Sequence, residues 1–376
     1  MKHWLLSVLL VVCGTVSAQI TLVKDGKSSA RIIVQDKMPN SKTSAQFLQR
    51  FLTEISGVAL PIENDKTPRK GDILIGGQSP SEVTEDGFSI STQDGILKIS
   101  GKENGVVYGV VTLLEQYLGI DYWGENEYSL TPSKTVNLPF INKVENPGFR
   151  YRQTQCYAIH TDSIYKWWNR LEEPNEVFAA GYWVHTFDKL LPSSIYGKEH
   201  PEYYSYFKGK RHPGKASQWC LSNPEVFEIV AQRVDSIFKA NPDKHIMSVS
   251  QNDGNYTNCT CDACKAIDDY EGALSGSIIT FLNKLAARFP DKEFSTLAYL
   301  YTMNPPKHVK PLPNVNIMLC DIDCDREVTL TENASGKEFV KAMEGWSKIT
   351  NNIFVWDYGI NFDNYLAPFP NFHILQ

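Results

Sequence analysis

The N-terminal part of the chain combines short β-branched runs with two helical repeats. Apolar residues recur with helical spacing over 45–55, and Gly57 follows as a helix stop. A second helical repeat covers 106–118. Short apolar runs bounded by Gly, Asp or Lys predict strands at 20–23, 31–34, 72–75, 88–91 and 96–100. We therefore predict a small α+β domain over 19–140, with its helices on one face of a sheet.

From Phe149 onward the pattern changes to repeated strand–helix units. The segment Ser-Asn-Pro-Glu at 222–225 is a helix cap followed by proline at the first helical position. Apolar runs predict seven strands, at 151–157, 181–185, 217–221, 245–250, 294–300, 315–321 and 353–358. Strands that alternate with helices form a parallel sheet, and crossovers of this length favour a closed barrel. We predict an α/β fold, a (β/α)8-type TIM barrel over 141–376 that stops before its eighth strand, after a proline-containing boundary at 132–147.

Residues 1–18 have the pattern of an export signal. A positive start precedes the apolar run 4–12, and Val-Ser-Ala at 16–18 provides the small residues that signal peptidase recognises. No later run approaches the ~20 apolar residues of a membrane span. We expect a periplasmic or extracellular protein that starts at Gln19. Lipid anchoring at Cys13 is the less favoured alternative, because bulky residues precede that cysteine.

The amino-acid composition indicates which class of ligand the protein binds. The formal net charge is −6 and the Lys and Arg residues are dispersed, which argues against nucleic-acid binding. Aromatic residues form 12% of the chain, with 8 Trp and 18 Tyr. Because sugar rings stack on aromatic faces, this excess favours a glycan ligand. Nothing in the composition indicates an oligomeric state.

Acidic residues follow three of the predicted barrel strands, and the C-terminal ends of strands carry the reacting groups of such barrels. Asp253 follows the fourth predicted strand. Asp321 and Asp323 lie at the end of the sixth, and Asp357 lies at the end of the seventh. Glycoside hydrolysis needs two carboxyl groups that flank the scissile bond, and desolvation raises the pKa of an acid toward the range of a proton donor. We predict Asp253 as general acid and Asp357 as base or nucleophile, with the other two as alternatives. The competing interpretation is that each aspartate caps a helix or binds a loop amide.

Aromatic and forked polar side chains collect at the other strand ends. Ring faces stack on sugars, and guanidinium or amide groups bind hydroxyl or carboxylate oxygens. The predicted substrate-binding residues are Arg152, His185, Trp219, Asn252, Tyr299, Tyr301, Trp356 and Tyr358. Each ring taken alone is also compatible with a place in the core, and the histidine with a structural role.

A dense cysteine cluster, Cys-Thr-Cys-Asp-Ala-Cys at 259–264, follows Asp253 closely. Its cysteines are Cys259, Cys261 and Cys264. Disulfides are the first interpretation in an exported protein, although the odd number of cysteines after residue 18 leaves one unpaired. A tetrahedral zinc site is the second, and it needs a fourth ligand such as Cys220 or Cys320. Either arrangement fastens the loop that carries the predicted acid, and we predict no catalytic cofactor.

Several of these stretches resemble known families. The segments Ser-Gly-Val-Ala-Leu-Pro-Ile at 56–62, Asp-Ile-Leu-Ile-Gly at 72–76 and Gly-Val-Val-Tyr-Gly-Val at 105–110 are similar to the small domain before the barrel in α-glucuronidases and β-hexosaminidases. The barrel half resembles domain-of-unknown-function family 4838, exported bacterial proteins related to those enzymes. That resemblance includes Trp-Cys-Leu-Ser-Asn-Pro at 219–224, and Asn-Asp at 252–253 followed by Cys-x-Cys-x-x-Cys.

The resemblance implies a polysaccharide-degrading role. In α-glucuronidases the acid at the fourth strand is a glutamate, and Asp253 matches its position. The basic carboxylates of those enzymes correspond to Asp321, Asp323 or Asp357. β-Hexosaminidases use an Asp-Glu pair with the acetamido group of the substrate, and Asn252 departs from that pair. We therefore predict a secreted glycoside hydrolase, with α-glucuronidase-like activity as one option; the alternatives are a non-catalytic glycan-binding barrel and a substrate-assisted hexosaminidase-like enzyme.

Overall fold

The computed structural model describes residues 20–35, 40–362, 364–367 and 369. Contacts divide the chain into two compact units, Met1–Glu172 and Glu173–Gln376. The predicted export signal at 1–18 lies outside the described residues. Among the helices of the described part, none is both long enough and apolar enough to cross a membrane.

The described residues of the first unit form ten strands, and six of these strands make up one mixed sheet. The ten strands are β1 (Ile20–Val23), β2 (Ile32–Gln35), β3 (Ile62–Asn64), β4 (Ile73–Gly76), β5 (Phe88–Ser91), β6 (Leu97–Gly101), β7 (Asp121–Gly124), β8 (Glu127–Ser129), β9 (Val136–Leu138) and β10 (Asn142–Glu145). The sheet order is β10-β5-β6-β4-β2-β3, with parallel pairing from β3 to β6 and antiparallel pairing at β5 and β10. β1 pairs with β9 and β7 with β8 as separate ribbons. All five strands predicted for this domain are present, each shifted by at most one residue at either end.

Helices cover this sheet and complete an apolar core. The helices of the unit are α1 (Ser41–Ser56), α2 (Gly105–Thr112), α3 (Ala158–Thr161) and α4 (Ser163–Trp168). α1 and α2 contact each other as well as the sheet, which places them together on it as predicted. Gly57 ends α1 with a φ of 77°, and its N–H donates to Thr53 O at 2.7 Å, which confirms the predicted helix stop.

The first unit extends further along the chain than the boundary predicted near residue 140. β10 pairs with β5 over all four of its residues. Arg152 also belongs to this unit, because its Nη2 donates to Asp86 Oδ2 at 2.7 Å and lies 3.7 Å from Glu172 Oε2. The proline-containing segment 132–147 therefore contributes strands to the first unit.

The described residues of the second unit form six strands, and four of these strands make up one parallel sheet. The six strands are β11 (Tyr206–Phe207), β12 (Lys210–Arg211), β13 (Ile246–Ser248), β14 (Glu293–Ala298), β15 (Val315–Cys320) and β16 (Ile353–Trp356). The sheet order is β13-β14-β15-β16, and β11 and β12 form a small hairpin apart from it. All of β15, and all of β14 except Glu293, is buried, as expected for central parallel strands.

Helices supply the core that covers this sheet. The helices of the unit are α5 (Pro174–Val177), α6 (Phe187–Leu190), α7 (Ser193–Tyr196), α8 (Pro224–Ala240), α9 (Asp262–Glu271), α10 (Gly276–Arg288) and α11 (Ala334–Ser347). α9 and α10 connect β13 to β14, and α11 connects β15 to β16. Asn223 caps α8 by accepting the N–H of Glu225 at 2.9 Å, and Pro224 occupies the first turn, which confirms the predicted helix start.

Three of the strands predicted for the barrel are wrong. The structure shows no strand at 151–157, 181–185 or 217–221. Positive φ angles at Ala180 (50°) and His185 (52°) interrupt an extended backbone, and only an isolated bridge from Phe178 to Ile246 reaches the end of the sheet. The described residues of the second unit thus form a mixed α/β structure with four parallel strands, and closure into a barrel stays a prediction.

Candidate active site

The C-terminal ends of the four parallel strands lie at one edge of the sheet in the second unit. Asp253 follows β13, Tyr299 follows β14, Asp321 follows β15 and Asp357 follows β16. This edge of a parallel sheet is where α/β proteins place their ligands. The structure therefore brings three of the four predicted acids to one edge.

A buried pair of side-chain amides supports the loop after β13. Gln218 Nε2 donates to Asn252 O at 2.8 Å, and Asn252 N donates back to Gln218 Oε1 at 3.0 Å. The Asn252 side chain donates to Ser217 O at 2.6 Å and accepts from Asp188 N at 3.2 Å. The backbone of this segment pairs separately with residues 203–205, because Ser205 N donates to Gln218 O and Cys220 N donates to Tyr203 O, both at 2.8 Å. Asn252, predicted to bind substrate, is buried and bonded to protein groups, so it positions the neighbouring Asp253.

Asp253 is the exposed acid of the edge. Tyr299 Oη donates to Asp253 Oδ1 at 3.1 Å. Burial, and after it the charge of Asp253, raises the pKa of Tyr299 above its ordinary range, so the phenol remains a protonated donor. Gly254 turns the chain directly afterwards with a φ of 149°. One carboxylate oxygen of Asp253 is thus fixed at an exposed position.

His185 holds the preceding segment against the end of β13. Its Nδ1 lies 2.8 Å from Gln251 O, and its ring centroid lies 6.0 Å from that of Tyr299. One residue later, Thr186 N donates to Ser250 O at 3.1 Å. The histidine predicted to bind substrate therefore lies beside Tyr299 and is oriented by a backbone carbonyl.

Arg326 binds two carboxylates at once. Its Nη2 donates to Asp321 Oδ1 and, at 3.2 Å, to Asp357 Oδ1. It also donates to the backbone carbonyls of Asp321 at 3.0 Å and Cys324 at 2.9 Å. The side chains of Arg326 and Asp321 are 5% and 3% exposed, whereas that of Asp357 is 28% exposed. Asp357 is therefore the member of this trio that a ligand can reach.

The trio retains a proton near neutral pH. Burial and the hydrogen bond with Asp357 raise the pKa of Asp321 to about 7, against the opposing charge of Arg326. Two carboxyl groups share one guanidinium, so together they exceed its charge. Acids with a pKa near the working pH are common at catalytic sites, since such groups exchange protons readily.

Three aromatic rings form a stack, named here the aromatic stack, of Trp183, Trp356 and Tyr358. The ring centroids of Trp183 and Trp356 are 4.7 Å apart, and those of Trp356 and Tyr358 are 5.9 Å apart. Trp183 lies just before Thr186, which is bonded to the end of β13, whereas Trp356 ends β16. The stack therefore connects the segment beside the end of β13 to the end of β16, at the edge that carries the acids.

Tyr358 lies within electrostatic range of both groups of acids. Burial is the main cause that raises the pKa of Tyr358 above its ordinary range, followed by the neighbouring Cys320 and Tyr299. The charges of Asp321 and Asp253 raise this pKa further. Its backbone N–H also donates to Asp357 Oδ1 at 2.7 Å. The phenol therefore marks the region that the acids of β13, β15 and β16 share.

Four predicted residues lie elsewhere or play another part. Trp219 is buried in the core, with its ring stacked at 3.7 Å on Phe187, so its burial contradicts the predicted contact with a sugar. Tyr301 and Trp219 line a cavity of about 10 Å³, room for a single water. Arg152 is bonded within the first unit. Asp323 is exposed, and its charge acts on Tyr299.

The prediction missed Arg326 and Trp183. Arg326 is the single basic residue that ends the acidic run Asp-Ile-Asp-Cys-Asp-Arg at 321–326, and that isolated cation was an available signal. Trp183 lies in the predicted strand 181–185, among the aromatic residues near strand ends, but its partner Trp356 lies far along the chain, so the sequence did not single it out as a binding residue.

A second group of side chains could hold a metal ion. Cys220, Cys259, Cys261 and Cys264 each place a sulfur within 4.8 Å of the other three, and three of the four residues are buried. None of these four cysteines forms a disulfide. Cys220, rather than Cys320, is thus the fourth member of the predicted cluster.

Comparison with known proteins gives one family. The family model described as a domain of unknown function (DUF4838) matches residues 122–376. No curated protein matches the chain.

Solved structures with some likeness include two hexosaminidases. The β-N-acetylhexosaminidase from Bacteroides fragilis NCTC 9343 is 10% identical, with a TM-score of 0.48 over 93% of this chain and 77% of that one. The GH20 β-N-acetylhexosaminidase from Streptomyces coelicolor A3(2) is 10% identical, with a TM-score of 0.46 over 94% and 75%. Both TM-scores are below 0.5.

Proposed function

The chain belongs to the DUF4838 family, and from this premise we propose that its second unit is a glycoside hydrolase with Asp253 and Asp357 as reacting carboxyl groups. One observation supports this most strongly. Trp183 lies in a segment bonded to β13 and its ring stacks on that of Trp356 at the end of β16, so the acids that follow these two strands border one region.

The exposure of the acids assigns their roles. Glycoside hydrolysis needs one carboxyl group that protonates the leaving oxygen and a second that activates water or attacks the sugar. Asp253 is exposed and oriented by Tyr299, so its carboxyl group can reach the leaving oxygen of a bound substrate as the general acid. Asp357 is partly exposed and held by Arg326, which suits the base or nucleophile. Asp321 is too buried to touch a substrate, so it is a positioning residue that acts through Asp357.

The aromatic stack supplies the surface for the sugar. Pyranose rings present apolar faces that pack on aromatic rings. Trp183, Trp356 and Tyr358 are half-buried, so part of each ring is open. The stack lies beside Asp357, which follows Trp356 directly. A sugar bound there would have its bonds near the proposed base.

The test is a turnover assay on aryl glycosides of neutral, amino and uronic sugars. On any hydrolysed substrate, Asp253→Asn and Asp357→Asn should each reduce kcat about 100-fold or more, the usual size of a general acid or base contribution. The matched control is Asp235→Asn, which removes an exposed carboxylate from α8 that pairs with Lys239. Its turnover should equal that of the unchanged protein. Undiminished turnover in either site variant removes that residue from the mechanism.

A non-catalytic glycan-binding function is the second candidate. The observation that favours it is that Asp357 Oδ1 already accepts bonds from Arg326 and from Tyr358 N, so its charge is largely engaged. Glycan-array binding without turnover would support this candidate. In that case Trp356→Ala should abolish binding, whereas Asp253→Asn should retain it.

Export is part of the proposal, on the pattern of residues 1–18. If the segment is a signal, the protein recovered from outside the cytoplasm should begin at Gln19. N-terminal sequencing of that protein tests this, and an intact Met1 there would contradict it.

A further inference from the structure

Four cysteines of the second unit converge on one point. The sulfurs of Cys220 and Cys261 are 3.6 Å apart, and those of Cys220 and Cys264 are 4.0 Å apart. With Cys259 included, all four sulfurs lie within 4.8 Å of one another. A tetrahedron of thiolates with zinc–sulfur bonds of about 2.3 Å has sulfur–sulfur edges of roughly 3.8 Å. The spacing is thus that of four ligands around one ion.

The surroundings of the sulfurs favour thiolates. Cys259 Sγ accepts the backbone N–H of Tyr206 at 3.3 Å and lies 3.6 Å from Arg211 Nη1. Cys261 is the N-cap of α9, and Cys264 lies in its first turn. Amide N–H groups, a guanidinium and the positive end of a helix dipole all stabilise negative charge on sulfur. They also offset part of the charge of −2 that four thiolates and one divalent cation leave.

We propose that Cys220, Cys259, Cys261 and Cys264 bind one zinc ion as a closed structural site. Thiolate ligands in a tetrahedron select zinc among common divalent ions, and four protein ligands leave no position for a reacting water. Four convergent sulfurs distinguish this arrangement from a disulfide, which joins two sulfurs at about 2 Å. The site is independent of the proposed hydrolase activity.

The ion joins the segment before α8 to the loop after β13, and Cys220 and Cys261 in these two parts are 41 positions apart in the sequence. Cys220 precedes α8, Cys259 and Cys261 end the loop after Asp253, and Cys264 begins α9. The loop is also bonded to the hairpin, because Thr260 N donates to Tyr206 O at 2.7 Å. The zinc site therefore fixes the far end of the loop whose near end is Asp253.

Metal analysis of the purified full chain is the first test. The unchanged protein should contain about one zinc per chain, and Cys261→Ser should lose most of it. Cys156→Ser is the matched control, because this cysteine is exposed and outside the cluster, so it should keep the full zinc content. Equal zinc in Cys261→Ser and the unchanged protein would overturn the assignment. Iron instead of zinc would do the same.

A second measurement does not depend on how well a variant folds. X-ray absorption at the zinc edge of the unchanged protein should show four sulfur neighbours at about 2.3 Å. Removal of the metal with a chelator should lower the melting temperature by roughly 5–10 °C, because the binding energy stabilises the folded state. Nitrogen or oxygen neighbours, or metal-free protein whose four cysteines resist alkylation as disulfides, would refute the site.

Discussion

Each unit of the protein buries an aspartate beside an arginine, and the two pairs behave in opposite ways. In the first unit Asp72 accepts the Arg31 guanidinium at 2.6 Å and the backbone N–H groups of Arg31 and Arg69 at 3.0 Å. Burial opposes these bonds, yet together they lower the pKa of Asp72. In the second unit the pKa of Asp321 rises to about 7, because burial and the bond with Asp357 outweigh the guanidinium.

Both arginines bond two carboxylates, since Arg31 also donates to Glu63 at 2.9 Å. The difference lies in the backbone N–H groups that Asp72 accepts and in the hydrogen bond between Asp321 and Asp357. Asp72 accepts from Arg31 and from two backbone N–H groups, and Arg69 Nε lies 3.8 Å away, so the negative charge of Asp72 is stabilised from several sides. Asp321 shares Arg326 with Asp357, so the second unit keeps a proton-holding group at the edge of its sheet. Structural ion pairs resemble the first arrangement, whereas functional sites often resemble the second.

The largest expected effect on stability comes from replacing the arginine of each pair. Arg326→Met should reduce the free energy of unfolding by about 3–5 kcal/mol, because it leaves the buried Asp321 without its cation. Arg31→Met should cost less, since backbone N–H groups still bind Asp72. Urea unfolding of both variants measures this. A smaller loss for Arg326→Met than for Arg31→Met would reverse the comparison.

The second prediction concerns pH. Asp321 binds its proton more tightly when folded, so its contribution to stability is largest near pH 4 and is lost as the pH rises toward about 7. Relative to Asp321→Asn, the free energy of unfolding of the unchanged protein should fall by a few kcal/mol across that interval. Each unit of difference between the folded and unfolded pKa contributes roughly 1.4 kcal/mol. Asp72 should show the opposite slope, because a lowered pKa gives stability that is lost as the pH falls below about 4.

Denaturant unfolding at several pH values compares each variant with the unchanged protein. Parallel curves for Asp321→Asn and the unchanged protein would show that Asp321 titrates as an ordinary carboxyl group. The comparison between the units would then fail.

The third prediction isolates the second carboxylate. Asp357→Asn removes a negative charge beside Asp321, so the pKa of Asp321 should fall and the pH dependence should weaken without reversing. Carbon NMR of the aspartate carboxyl groups during a pH titration follows this directly. An unchanged pKa would mean that burial alone raises it.

The smallest expected effect compares two tyrosine–aspartate bonds. Tyr122 Oη donates at 2.6 Å to Asp162, whose pKa is lowered because hydrogen bonds outweigh burial. Tyr122→Phe should cost about 1.5–3 kcal/mol of stability. Tyr299→Phe should cost only about 1 kcal/mol, because its partner Asp253 is exposed, yet it should reduce turnover. Equal stability losses, with turnover unchanged, would show that both bonds are structural.

Local patterns predicted much of the fold. The helical repeats and Gly57 gave the helices of the first unit, and the four apolar runs that match β13–β16 gave the parallel sheet. These signals can be read from the sequence because the spacing of buried residues, and the residues that end a helix, depend on only a few neighbouring positions. The strand predicted at 217–221 failed because the backbone of this segment bonds to residues 203–205 in an isolated antiparallel bridge, apart from the parallel sheet.

The sequence alone determined which residue types are available: acids after strands, an excess of aromatic rings and a cysteine cluster beside Asp253. Only the tertiary structure decided which of them meet. It buried Trp219, joined Trp183 to Trp356, and gave Asp321 and Asp357 the same Arg326. The physical reason is that pKa, exposure and stacking depend on neighbours brought together by the packed core, and spacing along the chain does not encode those distances.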